Sequence, residues 1–320
     1  MKPITRLLML FFVAFVVLAS GCSKRDASQV SADVSFDTPD AAVEALIAAI
    51  EKHDRGAVQR VLGLKSTDLL DSGDTVADSA ARDAFLEKFR AHHELVTGGP
   101  NDAVLQVGED NWPLPIPLVR DHGRWRFDGE AGADELIFRR IGRNELRTID
   151  VMRGFVAAED EYAAAGRDGA PAGIYAQRLR SSPGKHDGLY WEVAAGEKPS
   201  PAGPFLAAAA DEGYPNTGTP QAPYHGYIYR VLLSQGPNAN GGAHDYVVNG
   251  KLSGGYALLA YPHDYGNSGV MTFMVNQDGV VWQRDLGADT GKLAAAIQSF
   301  DPDRMWVPIA PEAAEVATAP

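Results

Sequence analysis

The chain has 320 residues, 29 basic and 42 acidic side chains, and a formal net charge of −13. That balance disfavours nucleic acid and anionic lipid surfaces as partners, because no basic stripe is legible to neutralise their phosphates. Hydrophobic residues make up 45% of the chain, enough for real cores, and a single cysteine excludes an internal disulfide, so packing alone must hold the fold.

The N-terminus carries "MKPITR", an unbroken apolar run from Leu7 to Leu18, and the small residues "ASG" before Cys22. Basic, apolar and small, in that order, is the pattern of a secretory signal. The apolar run is too short for a comfortable membrane span, which needs about 20 residues. Ala19-Ser20-Gly21-Cys22 resembles the bacterial lipobox, in which the thiol is acylated and becomes the first residue of the exported chain. Residues 1–21 are therefore expected to be a lipoprotein signal peptide and Cys22 the lipidation site, with membrane lipid as a partner. One acyl chain binds membranes marginally and two or three anchor stably, so the chain is expected to be anchored and not to span. Ser23 after the cysteine favours the periplasmic face of the outer membrane over the inner.

Residues 22–35 are small and polar and read as a flexible tether. A helix is predicted from Thr38, a suitable N-cap with Pro39 in the first turn, through Val43, Leu46, Ile47 and Ile50 at helical spacing. A second helix, "RGAVQRVLG", ends at Gly63. A third, "SAARDAFLEKFRAHHEL", puts Ala81, Phe85, Leu86 and Phe89 on one face. Strands follow in "AVLQVG" and "LPIPLVRDHGRWRFD", the latter folded at Asp121-His122-Gly123. The longest helical stretch runs from about Ala133 to Ala165, with a break expected at Arg139 to Arg143. Short aromatic and β-branched runs then alternate with turns at Asn249-Gly250 and Asp278-Gly279. "TGKLAAAIQSF" is a closing helix. The expected division is an α+β module over 36–138, an aromatic-rich α+β module over 139–308, and a disordered tail over 309–320.

"NWPLPIPLVRDHGRWRFD", "RRIGRNEL", "YAQRL", "GKHDGLYW", "YHGYIYRVLLSQGP", "HDYVVNG" and "YGNSGVMTFMVNQDGVV" together resemble the bacterial DUF2950 family of secreted proteins and lipoproteins. The resemblance covers nearly all of residues 36–308 and carries over no catalytic or binding residue. The first module, helices leading into a small antiparallel sheet, is similar to the cone-shaped NTF2-like folds. The second, a long helix and a hairpin-rich antiparallel sheet, is distantly similar to pilin heads. The apolar helix that assembles pilin filaments is missing, so filament formation is not implied.

Four His-Asp dipeptides, at His53, His186, His244 and His263, suggest metal ligands, yet neighbours on a strand point to opposite faces. No H-E-x-x-H or paired-cysteine spacing supports a metal, and no Gly-rich stretch has the lysine and following helix of a phosphate loop, so no cofactor is expected. A hydrolase acting on an envelope polymer would use Ser268 with His225 and Asp187 or Asp245, although "NSG" is not the usual nucleophile elbow. The stronger signal is aromatic. Tyr190, Trp191, Tyr224, His225, Tyr227, Tyr229 and Tyr256 pair apolar faces with polar tips, which suits a recognition surface for an envelope protein or glycan. Filling a sheet core is the competing role for the same rings. If the run after Gly226 is a strand with Ile228 inward, His225 shares a face with Tyr227 and Tyr229.

The sequence thus points to a lipid-anchored envelope protein with a binding or structural role. Replacing Cys22→Ala is expected to move the protein from the membrane to the soluble fraction or to block its processing, and to abolish palmitate labelling. Equal membrane association of variant and wild type would refute lipidation. High salt should leave the wild type in place, because acyl burial is not screened.

Overall fold

Thr38 opens the first helix as its sequence predicts. Its hydroxyl accepts from the Ala41 amide at 3.1 Å, and α1 runs Pro39–Glu51. The structure, a computed structural model, describes residues 34–65, 67–194, 196–204, 209 and 222–310. Cys22, the tether before residue 34 and the tail from residue 311 on lie outside the described residues. The described residues form one compact unit. Asp54 caps α2 (Arg55–Leu62) by accepting from the Ala57 amide at 2.9 Å, and Gly63 ends it in the left-handed conformation, φ 67°. After a 3₁₀ turn at Thr67–Leu70, Asp74 caps α3 (Thr75–Ala91) through the Ala77 amide at 3.0 Å.

The third helix stops short of its predicted end. His92 is extended (φ −158°), and His93–Gly99 is a strand, β1. Pairing decides this: His93, Glu94, Leu95 and Val96 lie in antiparallel register with β2 (Asp102–Val107), which local helix propensity cannot anticipate. β3 (Trp112–Pro113), β4 (Leu118–Asp121) and β5 (Arg124–Phe127) complete a five-stranded sheet in the order β1-β2-β4-β5, with β3 beside β2. His122 and Gly123, φ 48° and 82°, form the tight turn between β4 and β5. Alternate residues of β2, Ala103, Leu105 and Val107, are fully buried in a core shared with Leu46, Ile50 and Phe127.

α4 runs unbroken over Gly129–Ala165, about 55 Å at 1.5 Å per residue. The break expected at Arg139 to Arg143, and with it the boundary expected at 139, falls inside this helix. The cause is an inward face that steps by threes and fours through the arginines: Arg140, Asn144, Thr148, Met152, Phe155, Glu159 and Tyr162 are all buried. Its first three members are polar, so the stripe is invisible to a search for apolar periodicity.

Beyond α4, β6 (Tyr227–Leu232), β11 (Ala257–Pro262), β12 (Met271–Asn276), β13 (Trp282–Asp285) and β14 (Val307–Pro308) form a second sheet. It is antiparallel throughout, in the order β14-β13-β12-β11-β6. Two small ribbons flank the chain between β6 and β11: β7 (Ser234–Gln235) with β8 (His244–Asp245), and β9 (Val247–Val248) with β10 (Lys251–Leu252). Asn249 and Gly250, both at positive φ, make the turn of the second ribbon. α5 (Thr290–Ala296) packs on β11, and α4 packs on β11 and β12. Met152, Phe155, Tyr227, Tyr256 and Phe273 belong to this second core. The architecture is α+β, with one core at each end of α4.

A polar seam lies between the cores. The Arg140 guanidinium donates to the Leu69 carbonyl and to Asn267 Oδ1. Asn144 Nδ2 donates to the Ser268 carbonyl at 2.9 Å, and Glu145 Oε1 accepts from the Val270 and Met271 amides at 3.0 and 2.9 Å. Asp74 Oδ2 accepts from the Gly226 amide at 3.1 Å. α4 thereby holds one loop from each half of the chain.

Deeper in the second core, Glu159 is fully buried. Its Oε2 accepts from the Ala176 amide at 2.8 Å, and its Oε1 has no hydrogen-bond partner among the described residues. Burial pushes this carboxyl up to about 8, against the Ala176 hydrogen bond, so it holds its proton at neutral pH.

Two stability measurements check this description. An added Cβ at Gly132 would lie 2.6 Å from the Ile116 Cα and from the Pro115 carbonyl oxygen, whereas at Gly142 it would meet nothing within 4 Å. Gly132→Ala is expected to destabilise by about 1–3 kcal/mol despite the better helix former. Gly142→Ala should stabilise by about 0.5–1 kcal/mol. The second concerns pH. Between the ordinary carboxyl range and about 8, the folded chain keeps the Glu159 proton that the unfolded chain releases. This group's contribution therefore falls as pH rises through that window, by up to about 1.4 kcal/mol per pH unit, and levels off above it. Urea midpoints at pH 5, 6.5 and 8 should decline less steeply for Glu159→Gln than for the wild type; parallel declines would place the proton elsewhere.

Candidate functional site

The aromatic residues singled out in the sequence do not form one surface. Tyr227 and Tyr256 are fully buried. The Tyr227 hydroxyl donates to the Met271 carbonyl at 2.9 Å, and an added Cβ at Gly269 would sit 2.2 Å from that hydroxyl. Tyr256 donates to Asp160 Oδ1 at 3.1 Å, with Tyr175 and Phe155 packed edge-on against it. The Tyr229 hydroxyl donates to Thr148 Oγ1 on α4 at 3.3 Å. These three rings fill the space between α4 and the sheet. Tyr190 and Trp191 are half-buried in a separate loop, under Arg180 and Arg167 respectively. Tyr224 is half-buried with its ring centroid 4.1 Å from that of His225, which is itself 7% exposed. His225 has φ 50° and precedes β6 in a turn, so it does not continue the alternation of Tyr227 and Tyr229. β6 is covered on both faces, which is why alternation did not separate a wet side from a dry one.

The hydrolase residues are not assembled as a nucleophile with its base. Ser268 is fully buried, and its Oγ accepts from the Asp264 amide at 2.9 Å while donating to the Asp264 carbonyl at 3.1 Å. Both interactions close a turn. Asp187 accepts from the Ser182 amide and hydroxyl, which hold it below the ordinary carboxylate range, and Asp245 pairs in β8 with Ser234 of β7. Among the described residues, no group of three or more His, Cys, Asp or Glu side chains is placed to hold a metal ion. No described helix is long and apolar enough to cross a membrane.

The cleft suited to a ligand lies elsewhere, between α3 and α4, closed at its base by α1 and α2. It has a volume of about 370 Å³. Leu46, Val58, Phe85, Leu114 and Leu136 give it an apolar interior. Its two long walls are helix faces at three- and four-residue steps: Asp78, Ala81, Arg82, Phe85 and Lys88 on α3, and Leu136, Arg139, Arg140 and Arg143 on α4. Six cationic side chains line it against one carboxylate, in a molecule where acids outnumber bases. The carboxylate is Asp78. Burial raises it above the ordinary range, although the Ser72 amide and hydroxyl both donate to it, at 3.0 and 2.8 Å.

Three of the cations are matched by carboxylates: Arg55 by Asp71 at 2.6 Å, Lys88 by Asp110 at 2.6 Å, and Arg139 by Glu135 at 2.7 Å. Arg139 also lies over the Trp112 ring, 5.0 Å from its centroid. Arg140 is 7% exposed and bonded only to neutral oxygens, so its charge is unmatched in direct contact. Arg82 and Arg143 make no hydrogen bond or ion pair with any described residue.

The family model for DUF2950, described as a protein of unknown function, matches residues 33–309. The chain belongs to the DUF2950 family. No curated protein and no solved structure matches it. The match begins at residue 33, so Cys22 and the residues before it lie outside it.

In this DUF2950 protein the sequence reading found the apolar face of α3 and overlooked the cations beside it. A charged residue flanking an apolar stripe looks the same whether it meets solvent or a facing helix. The available signal was the spacing of Arg139, Arg140 and Arg143 with Leu136, which places all four on one helical face.

Proposed function

We propose that this DUF2950 protein is a lipid-anchored envelope protein that binds a small, largely apolar molecule in the cleft between α3 and α4. The observation that carries the binding role is the cleft itself: about 370 Å³, apolar within and charged at its walls. That volume falls in the usual range for small-molecule sites, roughly 300–1,000 Å³. The anchor rests on the leader and on Cys22 in its lipobox-like setting. A binding role also accords with the buried serine, whose hydroxyl is committed to its own turn. Lipidation would hold such a binder at a membrane surface, where apolar ligands are concentrated.

The test uses residues 22–320 produced without the leader, so that no acyl chain is attached. N-phenyl-1-naphthylamine, an uncharged apolar fluorophore, is expected to bind saturably at one site per chain. Ala81 and Ala84 are exposed residues lining the cleft from α3. Ala81→Trp or Ala84→Trp should fill it and weaken binding by about tenfold or more, with an unchanged melting temperature. Equal binding by both tryptophan variants would place the site elsewhere.

A further inference from the structure

Resting on that reading, we propose that the ligand of the cleft is an anionic amphiphile, its head held by Arg82 and Arg143 and its tail laid against Leu46, Phe85 and Leu136. The head is a carboxylate or a phosphate, and the tail an unbranched hydrocarbon chain.

The argument starts from which charges are already answered. Arg55, Lys88 and Arg139 have carboxylate partners, and Arg140 is fixed by Leu69 and Asn267. Arg82 and Arg143 stand on facing walls with no hydrogen bond or ion pair to a described residue. A guanidinium presents a planar fork of N–H donors that matches the two oxygens of a carboxylate or the edge of a phosphate. Two such forks on facing walls supply the donors of the proposed anion seat.

The neighbouring charges favour an anion further. Burial lowers the Arg140 guanidinium below its ordinary value, and repulsion from Arg143 lowers it again, while Asp78 pulls the other way. Burial lowers the Arg143 guanidinium too, repulsion from Arg147 adds to this, and Asp78 opposes it. An anion beside Arg143 relieves this crowding of like charge. A cation would add to it, and a neutral head would leave it unrelieved. Asp78 is the one opposing charge lining the cleft, and its carboxylate is turned to Ser72.

Competition against bound N-phenyl-1-naphthylamine tests the idea on residues 22–320, with every ligand below its micelle concentration. Dodecanoate, dodecyl phosphate, dodecanol and dodecyltrimethylammonium share one tail and differ in head. At least one of the two anionic ligands is expected to displace the probe about tenfold more effectively than dodecanol, and the cation least of all. The better of the two anions identifies the head as carboxylate or phosphate. Acetate and inorganic phosphate, which lack the tail, should not displace it. The double variant Arg82→Gln, Arg143→Gln should erase the anionic preference, so that dodecanoate and dodecyl phosphate displace the probe no better than dodecanol. Equal displacement by all four heads would overturn the anion seat and leave the apolar site standing. An anionic preference that survives the double variant would overturn the assignment to these two arginines. Failure of the probe itself to bind would remove the site on which the inference rests.

Discussion

A buried guanidinium must find oxygen atoms, and Arg140 finds them in two distant parts of the chain. Leu69 supplies one, from the turn before α3; Asn267 supplies the other, from the loop between β11 and β12. Asn267 in turn donates to the Asp71 carbonyl and to Asp264, both at 2.9 Å, and Asp71 binds Arg55. Leaving a buried charged group short of one neutral hydrogen-bond partner typically costs about 1.5–3 kcal/mol. The loops at 69–74 and 264–271 are therefore placed by the same side chain that lines the cleft. Each half contributes its own core, but the joint between them is polar and directional.

The cleft concentrates positive charge in a protein that is acidic as a whole. Surface pairs such as Lys88 with Asp110 are worth little in water, so their role is less to stabilise than to hold side chains in place along the walls. Inside, the apolar lining keeps the local dielectric low, and an unmatched guanidinium there projects its field further than one on the surface. An acidic exterior around a basic cleft also repels anions until they reach its mouth.

Local chemistry was legible in the sequence, and long-range pairing was not. The caps at Thr38 and Asp54, the end of α2 at Gly63, and the turns at His122-Gly123 and Asn249-Gly250 are decided by residues within four positions of one another. β1 was hidden because His93 to Val96 become a strand only when β2 lies beside them. The continuity of α4 was hidden by the polarity of Arg140, Asn144 and Thr148, which are buried against polar partners. The aromatic residues were noticed for a sound reason, but period two cannot assign a surface when both faces of a strand are covered. The cleft escaped notice because its walls come from helices that begin more than fifty residues apart, and neither half of its lining is unusual alone.

The seam also orders events in time. Residue 140 leaves the ribosome long before residue 267, so the nascent N-terminal half must hold Arg140 without one of its two oxygen partners. Glu145 waits equally for the amides of Val270 and Met271. Until that late segment emerges, the inner face of α4 near its middle is charged, amide-bearing and unanswered. Arg140 and Glu145 thus gain their full sets of partners only when the loop at 264–271 is in place, and a chain truncated before it would leave both side chains short of them.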